Sequence, residues 1–215
     1  RGLGDVYKRQ ILLLAVMAVA AVSASAQITW NAKGGVGFAT CWGDAEDIGS
    51  HFVGKIGAGI EKPISSNWSI MPSLEVAWKG AKETFKEDKE SYEGRLDIFY
   101  LQIPVMAAYR INLSDNWNTT LKVGPYVACA LTGHMKAKYE SSYSSEEDKI
   151  NIFKDEDGDG AIAQRFDAGI DVGVDFEYHR FVFGVEYELG FVSITKSDYG
   201  TLRNGAFYAT VGWKF

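Results

Sequence analysis

The stretch that decides the fold is residues 205–215, which read GAFYATVGWKF. Apolar or aromatic side chains occupy every second position, and smaller or more polar side chains lie between them. The apolar positions are Phe207, Ala209, Val211, Trp213 and Phe215; the others are Ala206, Tyr208, Thr210, Gly212 and Lys214. Strict alternation of this kind predicts a β-strand whose two faces meet two different environments.

The same alternation recurs along the chain. It is clearest in residues 166–178, where apolar side chains alternate with three Asp, two Gly and one Glu. With residues 205–215, the alternating segments are residues 30–38, 52–60, 68–79, 99–110, 117–131, 166–178 and 181–191. Each apolar face extends over about ten residues, which is the length that a tilted strand needs to cross the hydrocarbon of a bilayer.

The connections between these segments alternate between short and long. The short ones are residues 61–67, 112–116 and 179–180; the long ones are residues 41–50, 80–95, 132–164 and 194–204. An up-and-down barrel with short periplasmic turns and long extracellular loops has this asymmetry. We therefore predict an all-β protein, an eight-stranded antiparallel up-and-down transmembrane β-barrel with both ends of the chain on the short-turn side.

Aromatic side chains support the transmembrane interpretation over a soluble barrel. They collect at both ends of the predicted strands, for example Trp68 and Trp117 at one end and Trp78 and Phe99 at the other. Two aromatic girdles are expected where a barrel wall meets the two membrane interfaces. The alternative is a soluble, lipocalin-like barrel, which would turn its apolar face inward and would not need two girdles.

Composition narrows the classes of function. The 215 residues carry a formal net charge of −6, and an acidic chain argues against nucleic-acid binding, which requires a basic stripe. Cys41 and Cys129 are the two cysteines. Because one follows the first segment and the other lies on the apolar face of the fifth, we expect two free thiols rather than a disulfide.

The N-terminal residues have the features of a secretory signal peptide. Lys8 and Arg9 precede an apolar run over residues 11–22, and Ala24-Ser25-Ala26 follows as a small-x-small cleavage site. The run is too short to cross a bilayer as a helix. We predict that residues 1–26 comprise adapter-like residues, RGLGDVYKRQ, plus a cleaved signal peptide, and that residues 27–215 form the barrel domain. A retained membrane anchor is the alternative.

Charged side chains occupy the face of the strands opposite to the apolar one. An eight-stranded barrel is just wide enough for side chains to fill, and buried charges persist only when they are paired. We therefore predict a salt-bridged lumen rather than an open channel. The predicted network comprises Lys33, Lys55, Glu75, Lys122, Asp171, Asp175, Glu186, Glu188 and Lys214, with Arg165 and further charges on the same faces.

Two prolines interrupt the predicted strands. Proline cannot donate a hydrogen bond to a β-ladder. If the turn at residues 112–116 sets the register, Ile103-Pro104 lies beside Gly124-Pro125. We predict a bulge or a lost ladder bond there.

Several motifs resemble a known family of membrane barrels. YLQIPV at residues 100–105, VGPY at 123–126, RFDAG at 165–169 and EYELGF at 186–191 resemble the PorT-like outer-membrane β-barrel family. The terminal strand, with Trp213 and Phe215, resembles the signal that bacterial outer-membrane assembly machinery reads. The resemblance implies a Gram-negative outer membrane, contact with its lipid and recognition by that machinery. It assigns no reaction.

The longest connection contains a candidate metal site. Asp155, Asp157 and Asp159 alternate before Gly160, as at the start of a calcium-binding loop, because oxygen ligands at alternate positions can wrap a hard cation. The twelfth position is Phe166 instead of a bidentate Glu. A solvated acidic loop without calcium is the alternative, and no other cofactor is predicted.

The sequence predicts a monomeric, membrane-anchored scaffold whose extracellular loops serve surface structure or bind an unknown extracellular partner, without catalysis. One alternative is an enzyme at the rim, since His51 and His134 lie near the predicted loops with Asp47 and several Ser. Another is a narrow, porin-like transporter. No set of nucleophile, base and orienting group is legible in the sequence.

Overall fold

The computed structural model describes residues 28–44, 48–87, 90–141, 145–153, 163–195 and 200–215. The predicted signal peptide and the acidic motif at Asp155, Asp157 and Asp159 lie outside these residues, so both remain predictions. In the part of the chain that is described, no helix has the length and apolar character needed to cross a membrane.

Nine strands are present in the described residues. They are β1 (Thr29–Gly43), β2 (His51–Pro63), β3 (Trp68–Glu87), β4 (Glu90–Asn112), β5 (Trp117–Ser141), β6 (Ser145–Asn151), β7 (Phe166–Tyr178), β8 (Phe181–Gly190) and β9 (Leu202–Lys214). Every pairing is antiparallel, in the order β4-β3-β2-β1-β9-β8-β7-β5-β6, and β4 also pairs with β5. The β4–β5 pairing closes eight strands into a ring, with β6 attached outside it on β5, which confirms the predicted eight-stranded barrel.

The two ends of the barrel differ. The end where β1 begins and β9 ends, here called the terminal end, carries the tight turns β2–β3, β4–β5 and β7–β8. Backbone bonds close them, such as Ile64 N–H to Trp68 O at 2.8 Å and Leu113 N–H to Trp117 O at 3.0 Å. The longer connections lie at the opposite end, here called the loop end.

The wall of the barrel is apolar outside and polar inside. Outward-facing Ile56 and Val211 are 67% and 60% exposed, whereas inward-facing Glu75 and Glu188 are each 1% exposed. This arrangement is the reverse of a soluble barrel, so the lipocalin-like alternative is wrong. The aromatic side chains meet across strands at both ends, with Trp117–Tyr178 and Phe181–Trp213 at the terminal end and Phe38–Phe52 and Trp78–Phe99 at the loop end.

Three strands extend beyond the loop-end girdle, where the sequence predicted loops. β3 and β4 pair without interruption from Trp78↔Phe99 to Glu87↔Glu90, and β6 pairs with the upper part of β5 from His134↔Asn151 to Glu140↔Ser145. We call these parts of β3, β4 and β5, together with β6, the flap. Above the membrane a strand no longer needs an apolar outer face, so the pattern that marked the strands ends before the backbone pairing does. At ~3.3 Å per residue, β3 extends about 30 Å along its own direction from Trp78 to Glu87.

The prolines disturb the β4 ladders close to the predicted place. Pro104 stands opposite Tyr126, and pairing resumes only at Ala107↔Val123, so the ladder is interrupted at Gly124 and Pro125. The predicted interruption is confirmed, while the predicted register is wrong, because Pro104 is opposite Tyr126 and not Gly124-Pro125. A separate register shift lies between Phe99 and Tyr100, and such bulges are common at barrel rims.

Candidate functional site

The lumen holds the largest set of charged side chains that the structure describes. We call this set the lumen network. Its six cationic members are Lys33, Lys55, Lys79, Arg110, Lys122 and Lys214; its eight carboxylates are Glu61, Glu75, Asp167, Asp171, Asp175, Glu177, Glu186 and Glu188. They project inward because each lies on the polar register of its strand. The network forms layers from the terminal end to the loop end.

The layer at the terminal end joins four strands. Lys214 Nζ lies 2.7 Å from both Glu61 Oε2 and Glu177 Oε1. Arg110 Nη2 lies 2.7 Å from Glu61 Oε1 and 3.3 Å from Glu177 Oε2. Since Lys214 is the last residue of β9, these contacts fix the end of the closing strand to β2, β4 and β7.

Glu186 is the centre of the next layer. Lys33 Nζ and Lys122 Nζ each lie 2.8 Å from Glu186 Oε1, and Lys55 contacts Glu186 Oε2. Lys122 also lies 2.6 Å from Asp175 Oδ2. Three ammonium groups, from β1, β2 and β5, thus converge on one carboxylate of β8.

Above it, Lys55 bridges two further carboxylates. Its Nζ lies 3.0 Å from Glu188 Oε1 and 3.5 Å from Glu75 Oε2. Gln102 Nε2 donates to the same two side chains, at 2.8 Å to Glu188 and 3.3 Å to Glu75. Lys33 Nζ lies 2.8 Å from Glu75 Oε1 and connects this layer to the one below.

The last charged layer adds aromatic rings. Lys79 Nζ lies 2.7 Å from Glu188 Oε2 and 4.1 Å from the centroid of the Tyr126 ring. Asp167 accepts hydrogen bonds from Asn204 Nδ2 at 2.9 Å and from Tyr126 Oη at 3.2 Å. A cation above an aromatic face is held by the ring quadrupole as well as by its carboxylate.

Apolar side chains close the loop end of the lumen. This apolar cap is formed by Cys41, Ile98, Tyr100, Tyr126, Ala128, Ala130, Ile152, Phe153, Ala163 and Ile194. Ile152, Phe153, Ala163 and Ile194 come from the loop-end connections. These four residues therefore cover the mouth, and the cap lies directly on the layer of Lys79 and Asp167.

The terminal half of the lumen contains a small cavity. Its volume is about 30 Å³, and its lining includes Asn31, Lys33, Lys122, Asp175 and Lys214. That volume is of the order of one water molecule. The cavity is therefore too small to serve by itself as a path for solutes.

Most residues that the alternation assigned to the lumen contact one another there. Two residues, Arg165 and Glu61, differ from the prediction. Arg165 is outside the network, because its Nη1 donates to Ala130 O at 3.0 Å and its guanidinium stacks over Phe153 at 4.5 Å. Glu61, assigned from the sequence to a turn, belongs to the network. Its position could have been found, since residue 61 continues the inward register of Lys55 at steps of two.

Asp171 differs from the other predicted network residues in its lack of hydrogen-bond partners among the described residues. Its side chain is inward and 0% exposed. It stands across from Gly124 on β5 and Glu188 on β8. Neither of its carboxylate oxygens has a hydrogen-bond partner among the described residues.

The two histidines named for a rim enzyme do not assemble with a nucleophile in the described contacts. His51 Nε2 lies 3.2 Å from Asp97 Oδ1, and Asp47 lies outside the described residues. The same Asp97 oxygen accepts from Trp78 Nε1 and from Arg95 Nε, both at 3.0 Å. Asp97 is therefore occupied in fixing its neighbours, and His51 is only 6% exposed.

The remaining predicted sites are placed as follows. Trp213 packs edge-to-face on Phe181 at 4.6 Å, and the Phe215 amide donates to Trp30 O at 2.9 Å with its ring exposed. Cys41 is buried and Cys129 is exposed on the other face of the wall, and both are free thiols. Within the described ranges, no group of three or more His, Cys, Asp or Glu is arranged to hold a metal ion.

The comparison with protein families agrees with this architecture. Residues 21–196 match the family described as outer membrane protein beta-barrel domain. Among solved structures, Neisserial surface protein A is similar at 12% identity, covering 86% of this chain and 97% of that one, with a TM-score of 0.45. Ail, the attachment invasion locus protein of Yersinia pestis, is similar at 15% identity, covering 87% and 98%, with a TM-score of 0.37. The comparison with curated proteins found no match.

Proposed function

Because the chain belongs to the outer membrane protein β-barrel domain family, we propose that it is a closed, membrane-anchored scaffold that displays its loop end for surface structure or interaction. The barrel lies in the outer membrane, where its outward apolar face contacts lipid. In barrels of this kind, short turns face the periplasm and longer connections face the outside. The flap and the apolar cap then lie on the cell surface.

The observation that carries the proposal is the closure of the lumen. Three ammonium groups converge on Glu186 within the central layer, and the apolar cap covers the loop end. A solute would have to separate buried ion pairs and then displace the cap, and breaking a buried pair costs about 3–5 kcal/mol. This favours an anchor over the narrow, porin-like transporter.

The flap supports a role at the cell surface. It is the largest described structure beyond the girdle, and its outer face carries charged side chains such as Lys82, Glu93 and Arg95. Lys82 Nζ lies 2.8 Å from Glu93 Oε1, and this hydrogen bond lowers the pKa of Glu93. A rigid, charged sheet presents a fixed pattern to an extracellular partner at little cost in conformational entropy.

The proposal extends to assembly and oligomeric state. Outer-membrane assembly machinery would recognise the last strand through Trp213 and Phe215, which face the lipid at the terminal end. The protein would act as a monomer, because the ring closes on itself and leaves no barrel strand unpaired. Catalysis plays no part in this proposal.

Planar-bilayer conductance of the purified barrel tests the closed scaffold. We expect a silent membrane at moderate voltages, because ion pairs cross the lumen from Glu61 to Glu188 and the apolar cap covers the loop end. Stable single-channel steps would overturn the closed scaffold and favour the transporter. A matched trace from Glu186→Gln, which weakens the central layer, shows whether the assay detects an opened lumen.

The calcium prediction is tested in the same preparation. If Asp155, Asp157 and Asp159 bind calcium, adding millimolar calcium should raise the protection of this loop against proteolysis. Replacing the three residues together by Asn should abolish that protection. Equal cleavage with and without calcium would assign the segment to a solvated acidic loop.

A further inference from the structure

A row of cationic side chains crosses the outer face of the lower flap. Lys82 on β3 is paired with Arg95 on β4, and Arg95 is paired with Lys136 on β5. Residues paired across a ladder share a face of the sheet. This face is the outward one, because Arg95 lies over the ring of Trp78, which stacks on the exposed Phe99 of the loop-end girdle. Like charges directly opposite each other destabilise a sheet, so this cationic row favours a nearby anion.

The cationic row is accessible and has hydrogen-bond donors to offer. Lys82 Nζ lies 2.8 Å from Glu93 Oε1, and Arg95 Nε donates to Asp97 Oδ1 at 3.0 Å. Among the described residues, neither Nη group of Arg95 donates a hydrogen bond. The side chains of Lys82 and Arg95 are 35% and 36% exposed. A planar guanidinium beside ammonium groups matches the oxygens of a phosphate.

Just below the cationic row, the ladder between β2 and β3 is open. The two strands pair as far as Lys55↔Ala77, and in the described residues the next pairing is the isolated bridge Gly49↔Lys82. Ladder hydrogen bonds hold neighbouring strands about 4.8 Å apart. Where these bonds are absent, the two strands can separate and leave a depression in the wall.

An apolar groove occupies the lipid side of this opening. Its volume is about 290 Å³, and its lining includes Gly54, Ile56, Trp78 and Phe99. This volume is near the lower end of small-molecule pockets, about 300 Å³. Ile56 and Phe99 are exposed on the outside of the barrel, so the groove opens to lipid. Trp78 connects the groove to the cationic row, because Arg95 lies 5.4 Å from the centroid of its ring.

We propose that the cationic row and the apolar groove together bind an anionic, phosphate-bearing lipid of the leaflet at the loop end. Its phosphate would lie on Lys82, Arg95 and Lys136, where it offsets their mutual repulsion, and one acyl chain would lie in the groove. A membrane lipid reaches both parts at once, whereas a soluble anion reaches only the row. The site goes beyond the scaffold function. It rests on the proposed orientation only in that the leaflet is then the outer one.

The test is native mass spectrometry of the full-length protein released from detergent. Phosphatidic acid and phosphatidylcholine with identical acyl chains are offered together, and we expect the wild type to retain phosphatidic acid preferentially. Arg95→Gln and Lys136→Gln should each lower this preference about tenfold, as expected for the loss of one charge-assisted contact. The matched control is Arg203→Gln. Arg203 also lies over a rim tryptophan, Trp42, at 4.8 Å, but its ladder partner is that tryptophan and not a cation, so the preference should remain.

A second pair of variants tests the apolar groove. Gly54→Val places a side chain in the groove and should reduce the retention of phosphatidic acid. Gly205→Val adds the same side chain to the outer face of β9, where a new Cβ meets its nearest atoms at 3.7–3.8 Å, and should leave retention unchanged. Equal losses in these two variants would overturn the role of the groove.

The competition in the wild type needs no variant to fold. Equal retention of the two lipids by the wild type, or an equal loss of preference in Arg95→Gln and Arg203→Gln, would overturn the site. If inorganic phosphate raises the unfolding midpoint of the wild type but not of Arg95→Gln, and no lipid preference appears, the row binds a free anion and the lipid assignment is wrong. Conductance does not enter these measurements, so their failure leaves the closed scaffold standing.

Discussion

At the scale of single residues, Lys55 shows why a polar lumen can be stable. It is buried from one end of its side chain to the other, with Glu75, Glu186 and Glu188 around its ammonium group and the Tyr208 ring 4.7 Å away. The cost of removing one ammonium from water is offset only because three carboxylates and a ring face it together. The same geometry makes the residue difficult to replace.

Lys55→Met should therefore destabilise the barrel strongly. The substitution keeps the volume of the side chain but leaves Glu75 and Glu188 with fewer cationic partners. We expect a loss of about 3–5 kcal/mol in the free energy of unfolding, measured by urea titration in detergent or vesicles. The matched control is Lys82→Met, which breaks the partly exposed pair with Glu93 and should cost less than about 1 kcal/mol. Equal losses in the two variants would contradict the importance of burial.

At the scale of elements, the register of each strand is set by two environments, the lipid outside and the charged lumen inside. In β2, Ile56 is 67% exposed to the outside, while its neighbour Lys55 is 5% exposed inside. A shift of one residue would place lysine in lipid and isoleucine among carboxylates. The register is therefore fixed, because a shift by one residue costs free energy on both faces of the strand.

Ile56→Arg places a charge near the middle of the lipid face. It should lower the free energy of unfolding, measured in lipid vesicles, by about 2–4 kcal/mol. The control is Ile64→Arg in the β2–β3 turn, where Ile64 is 64% exposed beyond the girdle. Near the interface the penalty falls to about 0–1 kcal/mol. If both variants lose the same stability, β2 does not cross the membrane at this level.

At the scale of the whole molecule, different interactions stabilise the barrel and the upper part of the flap. The lumen network and both girdles lie at or below the rim, and the lower flap packs in the apolar cap through Ala81, Leu96 and Ile98, while the upper flap is held by ladder bonds among β3, β4, β5 and β6. Little of the barrel interior depends on the upper flap. This division suits an anchor whose displayed part can vary.

Replacing residues 84–93 by Asn-Gly tests this separation. Glu83 and Gly94 are directly paired, so a two-residue hairpin turn can join them. We expect the shortened protein to fold and to unfold within about 1 kcal/mol of the wild type, since the loss is confined to ladder pairing above the rim. The readout is gel migration without boiling, followed by urea titration. Failure to fold in vesicles would show that the flap supports the barrel.

Much of this architecture was predictable because the side chains of every membrane-spanning strand alternate between lipid and the lumen. The alternation in residues 205–215 and its seven counterparts determined the strand number, the lipid face, the girdles and the inward position of residues such as Lys33 and Glu186. The alternation also limited the prediction. It is absent above the membrane, so the flap was taken for loops, and it ended one step early in β2, so Glu61 was taken for a turn residue.

The sequence alone therefore determined the barrel, the inward and outward faces of its strands and the charged character of its lumen, because those follow from periodicity and composition. Only the tertiary structure decided which charges meet. Lys214 joins Glu61 across 153 positions of the chain, and Arg165 leaves the lumen for Phe153 and a carbonyl of the wall. The pairing depends on how far each side chain reaches across a closed ring, which a one-dimensional pattern does not encode. For the same reason, only the folded ring shows that, among the described residues, Asp171 is the network carboxylate with no Lys or Arg nitrogen within 4 Å.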